Sequence, residues 1–259
     1  MKILKHQLNL KLGGEKTLLF TADWQLGSKN CDEQRISDDI REAKNRNADI
    51  FIVGDVFDGI FSGDRRYRPS GAAPWLVSSN DGTGDAVRRA ASLLKPVAGS
   101  VRLVGLGNHE ETVIQRCATD MCGELAERLR APAGDYCGYF EYRIPGCKPF
   151  VIHYDHGSGS DSMTRGVLPA LRKKMHHKFD LYVTGHLHNR WCVDDVFVEN
   201  GKLRPCKLLM VGSYLEPLNT KECGSTYDER WGLAPKPMGG VFVRLQRTKS
   251  NELRTIVEI

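Results

Sequence analysis

Residues 49–58 read DIFIVGDVFD: four apolar residues in a row, closed by a Gly-Asp pair with a second Asp three residues on. A short apolar run without polar alternation, bounded by turn formers, describes a strand buried on both faces. The same design recurs on either side. LLFTADWQLGS (18–28), VRLVGLGNHE (101–110), FVIHYDHGSG (150–159) and DLYVTGHLH (180–188) each pass from an apolar strand directly into Gly, Asp, Asn, Gln or His. Between them apolar residues recur at helical spacing: Ile36, Ile40 and Ala43 in 32–46, and Ala86, Val87, Ala90, Leu93 and Leu94 ahead of Pro96. In 110–129 the series is Val113, Cys117, Met121, Leu125 and Leu129. These stripes read as core-facing helix sides.

Beyond residue 189 the texture changes to RWCVDDVFVEN, KLLMVGSY, GGVFVRL and LRTIVEI, which predicts a second, mostly antiparallel sheet made from 190–259. The expected architecture is α/β: two mixed β-sheets packed as a sandwich, flanked by helices, in a single domain over 1–259. Segments 61–83 and 216–238, rich in Gly, Pro, Ser and charge, read as long loops.

Composition narrows the functional classes. The chain has 259 residues, 41% hydrophobic and 27% charged, as expected of a globular protein. No apolar run reaches the roughly 18 residues of a membrane span, and the N-terminal lysines precede no apolar signal core. A cytoplasmic location and no membrane partner are therefore expected. The eight cysteines form no CxxC pair, so zinc-finger chemistry is excluded and reduced thiols are expected. A net charge of +5 suits a phosphate-bearing partner without specifying nucleic acid.

In α/β sheets the loops after the carboxyl ends of the strands converge on one crevice. Five such ends bring together Asp23, Gln25, Asp55, Asn108, His156, His186 and His188. Singly, each motif also reads as a helix cap or a turn. Jointly, carboxylate, amide and imidazole without thiolate make a ligand set for hydrolytic Mn, Fe or Zn. His153, three residues before His156, faces the other side of its strand and reads as structural. His176 and His177 sit in a basic run that reads as a solvated helix face.

These motifs resemble the calcineurin-like metallophosphoesterase superfamily, with its D-x-H, G-D-x-x-D, G-N-H-[ED], His-Gly and G-H-x-H pattern. The resemblance spans about residues 18–189, and DHGSGS with the later TRG resembles a branch common in bacteriophage and bacterial genomes. It implies two divalent metal ions that activate water for hydrolysis of a phosphate ester. Asp23, Gln25, Asp55 and His188 would hold the first ion; Asp55, as bridge, with Asn108, His156 and His186 would hold the second. His109 would act on the leaving oxygen, with Asp58 orienting its imidazole; the alternative is that His109 merely satisfies a turn.

Gln25 departs from the pattern, which has histidine there. A glutamine oxygen is a neutral, hard and weaker ligand, so the first site is expected to be weak and Mn²⁺ is favoured over Zn²⁺, Fe²⁺ or Mg²⁺. Arg65, Arg66 and Arg68, in the loop after GDVFD, suit contacts to a nucleotide or nucleic-acid substrate, and equally read as a solvated surface. A phosphodiesterase acting on nucleic acid or a nucleotide (a nuclease in the first case) is thus expected ahead of a phosphomonoesterase or protein phosphatase, or a non-catalytic binding scaffold.

Overall fold

The computed structural model describes residues 1–159, 178–218, 226, 229, 232 and 234–259. His176, His177 and the TRG stretch lie outside the described residues. The strands are β1 (Lys2–Gln7), β2 (Glu15–Thr21), β3 (Asp49–Ile52), β4 (Val101–Val104), β5 (Cys137–Arg143), β6 (Phe150–Asp155), β7 (Leu181–Thr184), β8 (Trp191–Glu199), β9 (Lys202–Met210), β10 (Val241–Arg247) and β11 (Leu253–Glu258). The helices are α1 (Glu33–Asn45), α2 (Pro74–Val77), α3 (Gly82–Leu94), α4 (Asn108–Cys117) and α5 (Met121–Leu129).

Two mixed sheets form, ordered β1-β5-β6-β7-β9-β8 and β11-β10-β2-β3-β4. The division does not follow chain order, which corrects the expectation of a second sheet built from residues 190–259. β10 and β11 return to the sheet of β2, β3 and β4, where β10 runs antiparallel to β2. β6 and β7 instead belong to the other, six-stranded sheet, with β9 parallel to β7. The parallel strands β2, β3 and β4 of one sheet and β6 and β7 of the other nonetheless carry all five polar ends.

The sheets pack face to face through Leu18, Phe20, Phe51 and Val243 on one side and Phe140, Ile152, Leu181 and Leu209 on the other. Phe51 spans the interface, stacked on Phe20 at 4.9 Å and edge-on to Phe140 at 4.9 Å. Each such side chain contributes about 1.5–3 kcal/mol by leaving water. The opposite face of the β2–β3–β4 sheet is covered by α1, α3 and α5, which bury Ile36, Ile40, Ala90, Leu94 and Leu125 against Ile50, Ile52 and Val104. The apolar stripes of 32–46 and 84–95 therefore pack as read.

The 110–129 stripe is instead split between two helices. Ala118 takes a left-handed conformation (φ 51°) and ends α4, while the Asp120 carboxylate caps α5 by accepting from Gly123 N at 2.7 Å. Cys117, inside the stripe, is exposed. β1 and β5 were not evident as apolar runs because their burial alternates; in β5 only Gly138, Phe140 and Tyr142 are buried. Among the described residues no helix is long and apolar enough to cross a membrane.

Far from the polar strand ends, at the start of β3, Asp49 is 1% exposed and joins the sheets. It accepts from Tyr142 Oη of β5 at 2.6 Å and pairs with Lys16 at 3.1 Å and Arg102 at 2.9 Å. Asp49→Ala should cost about 3 kcal/mol, because it strands two cations and a buried phenol. Urea unfolding of the metal-free protein measures this; ion binding at the distant centre should not change.

Candidate metal centre

The backbone at the strand ends is bent to one purpose. Asp23, Gln25, Asp55, His186 and His188 all adopt positive φ, between 50° and 68°. Such a left-handed conformation costs a non-glycine residue on the order of 1–3 kcal/mol and persists only where the surroundings enforce it. Here hydrogen bonds enforce it: Asp23 N donates to Gly54 O and Gln25 N to Asp55 O, each at 3.1 Å, and Tyr214 N donates to Asp23 O at 3.0 Å. The intervening Trp24 is buried, and its indole N–H donates to Thr21 Oγ1 at 2.6 Å. Trp24 thus anchors the turn in the core while its neighbours face the centre, as does the buried Leu187 between His186 and His188.

Two glycines are dictated by crowding. A Cβ on Gly54 (φ 85°) would lie 2.7 Å from His156 Nδ1, and one on Gly107 would lie 2.0 Å from Asp55 Oδ1. Gly-Asp and Gly-Asn are therefore the pairs that let two strand ends meet.

Glu110, the last residue of GNHE, has no solvent exposure. Its carboxylate accepts from Gly107 N at 2.9 Å, Asp55 N at 3.1 Å and Phe57 N at 2.8 Å. Sequence reasoning assigned it no role, although an acid at the third position of a helix is a known capping signal. Burial, with the nearby Asp55 charge, pushes its carboxyl up to about 7.

The donor atoms converge around Asn108. Its Oδ1 lies 3.1 Å from His156 Nε2 and 2.8 Å from His186 Nδ1; Asp55 Oδ2 lies 3.2 Å from His156 Nε2. The other imidazole nitrogens face backbone carbonyls: His156 Nδ1 and Val53 O are 2.7 Å apart, His186 Nε2 and Gly159 O 3.0 Å. A carbonyl behind each ring fixes the tautomer and turns the second nitrogen's lone pair to the centre, the arrangement typical of metal-ligating histidines. Ligand atoms of Asp55, His156 and His186 all lie within 4.8 Å of one another. This donor set suits a cation, and Asp55, Asn108, His156 and His186 together could hold one divalent ion.

The other half is less uniform. Asp23 Oδ2 accepts from His186 N at 2.8 Å, and Asp23 Oδ1 is buried without a hydrogen-bond partner, 3.5 Å from His188 Nε2. Gln25 turns its amide nitrogen, not its oxygen, to the shared carboxylate, donating to Asp55 Oδ2 at 3.1 Å. In this arrangement Gln25 is a donor to the bridge, where the motif resemblance implied an oxygen ligand.

His109 stands at the mouth, its Nε2 3.9 Å from Asp55 Oδ2 and its Nδ1 hydrogen-bonded to the backbone carbonyl of Asp58. Asp58 meets the ring through its main-chain carbonyl; burial raises its own carboxyl to about 6. His153 lies outside the centre, on the outer face of β6, stacked on Tyr139 at 4.8 Å. Arg65, Arg66 and Arg68 are exposed. Arg66 pairs with Asp64, which also meets Arg116 of α4, and Arg68 donates to the carbonyls of Arg65 and Tyr67. No hydrogen bond joins the three to the donor set among the described residues.

No protein-family model and no curated protein matches the chain. Among solved structures, a metallophosphoesterase from Sphaerobacter thermophilus is 13% identical, with a TM-score of 0.40, covering 94% of this chain and 88% of that one. A predicted phosphoesterase from Streptococcus pneumoniae TIGR4 is 13% identical, with a TM-score of 0.37, covering 95% and 98%. A zinc-complexed Vps29 from Entamoeba histolytica is 10% identical, with a TM-score of 0.37, covering 93% and 98%. Likeness at this level fixes neither activity nor ligand.

The electrostatics make ion binding pH-dependent. Burial alone would lower the His156 pKa, but the Asp55 carboxylate outweighs it and lifts it to about 10. Burial holds His186 below its usual value. At neutral pH the metal-free centre therefore carries a proton between His156 and Asp55 that an ion must displace. Affinity for Mn²⁺ should rise about ten-fold per pH unit from about pH 7 to about pH 9, with about one proton released per ion. Calorimetry in two buffers of different ionisation heat counts that proton; a pH-independent affinity would refute the protonated pair.

Proposed function

We propose that this protein is a metal-dependent phosphoesterase of the calcineurin-like kind, acting on phosphodiesters. The observation that carries the reading is the convergence of Asp55, Asn108, His156 and His186 on one point. Asp55 is held by Glu110 and the two imidazoles by backbone carbonyls, and none of the four offers a thiolate. Divalent ions bound there would supply Lewis-acid polarisation of the phosphate and lower the pKa of water.

The chain's own residues account for the rest. Glu110 fixes the Asp55 turn, and the carbonyls of Val53 and Gly159 aim the two imidazoles. His109, oriented by the Asp58 carbonyl, presents Nε2 toward the open side. In its protonated form it can give the Nε2 proton to the leaving oxygen as the phosphorus–oxygen bond breaks. The exposed arginines beside the mouth and the net positive charge favour a substrate that continues past its first phosphate, such as a dinucleotide or oligonucleotide.

A metal-by-substrate matrix tests the function. Chelated protein should be inactive, Mn²⁺ should restore turnover, and an aryl diester should be cleaved faster than the matching monoester. A faster monoester would assign a phosphomonoesterase, and no turnover with any ion would leave a binding scaffold. In the same assay His109→Asn should keep its bound metal and lose about 10²–10⁴-fold in rate, most for poor leaving groups. An equal loss for good and poor leaving groups would argue against proton donation by His109.

A further inference from the structure

We infer that Gln25 is a hydrogen-bond donor competing with the ion at the Asp23 half of the centre, so that the two halves load unequally and in order. The inference rests on the metal reading above and deepens it.

In the four-donor half Asn108 Oδ1, His156 Nε2 and His186 Nδ1 already meet at 2.8–3.1 Å. The shared carboxylate is contacted from both sides: Asp55 Oδ2 lies 3.2 Å from His156 Nε2 of that half, and further donors reach it from outside. Asp55 Oδ1 accepts from His109 N at 3.0 Å, and Asp55 Oδ2 accepts from Gln25 Nε2 at 3.1 Å. Gln25 is 2% exposed and held at a φ of 52°, so water does not substitute freely for this bond. What remains open to an ion is Asp23 Oδ1, buried without a hydrogen-bond partner, and His188 Nε2 beside it at 3.5 Å.

An imidazole at position 25 can also donate to the carboxylate, but it gives up that proton to offer a lone pair, whereas an amide N–H does not. A glutamine has two ends, and beside an anion it turns the N–H end inward. To admit a second ion, that amide must break its bond to Asp55 and rotate its oxygen inward or swing aside. A hydrogen bond to a charged acceptor is strong enough to weaken a competing ion by about 10- to 100-fold. The unpartnered Asp23 oxygen keeps the second position available. The outcome is one tight ion in the Asn108 half and one weaker ion in the Asp23 half.

This differs from Gln25 acting as a weak ligand, and Gln25→Met separates the two. Methionine matches glutamine in length and is neither a hydrogen-bond donor nor an oxygen ligand. Mn²⁺ titration of the metal-free protein, by calorimetry with electron paramagnetic resonance of the bound ion, reads both affinities without any activity. Wild type should bind one ion tightly and a second at least about ten-fold more weakly. Gln25→Met should leave the first affinity unchanged and tighten the second by about ten-fold or more. Gln25→His should tighten the second alone and give the spectrum of a coupled ion pair at two equivalents. Melting of each metal-free variant verifies folding, and Gln25→His carries the test by itself if Gln25→Met does not fold. Equal affinities in wild type, or a second ion bound no more tightly in Gln25→Met, would overturn the competitor role and leave the metal centre standing. No Mn²⁺ bound by wild type would overturn the centre and this inference together.

Discussion

The Glu110 carboxylate receives three backbone N–H groups, from Gly107, Asp55 and Phe57, inside a site with no solvent exposure. Those bonds tie the turn after β3 to the start of α4. Asp55 can then stand in a left-handed conformation with both oxygens committed, and Asn108 can face His156 across the junction of the sheets. An unpartnered buried N–H costs about 1–3 kcal/mol, so the turn has few alternatives that keep all three satisfied. The pull of Asp55 on the His156 proton, the aim of Asn108 and the position of His109 all descend from this one carboxylate.

The sandwich supplies the second constraint. Asp23, Asp55 and Asn108 follow strands of one sheet, while His156, His186 and His188 follow strands of the other. Packing through Phe20, Phe51, Phe140 and Ile152 sets the separation of the two groups. A centre assembled across an interface in this way depends on core packing, because a shift of either sheet moves half of the ligands. The Asp49 cluster at the opposite end of β3 holds the same two sheets together by charge and hydrogen bonds.

Among the described residues, five of the ten non-glycine residues with positive φ sit at the donor cluster. Each is locked by a backbone bond to a neighbouring strand end or by a buried side chain between the ligands. In the turn 23–25 and again in 186–188, alternate residues face the donor cluster while Trp24 and Leu187 enter the core. The one-residue spacing of these ligand pairs is therefore a packing requirement as well as a chemical one.

The sequence by itself determined the apolar strands, the polar residue ending each of them, the helices α1 and α3, and the donor chemistry of the centre. Periodicity and turn formers act over a few residues, so they can be read along the chain. Only the tertiary structure decided that β10 and β11 rejoin β2, that β6 and β7 belong to the other sheet, and that the 110–129 stripe breaks at Ala118. It also decided that Asp58 acts through its carbonyl, that Glu110 holds the Asp55 turn, and that Gln25 turns its nitrogen to the bridge. Strand partners are chosen by contacts between residues far apart in the chain. Which end of a buried side chain faces an anion depends on atoms that only the folded interface brings within 3 Å or so of each other.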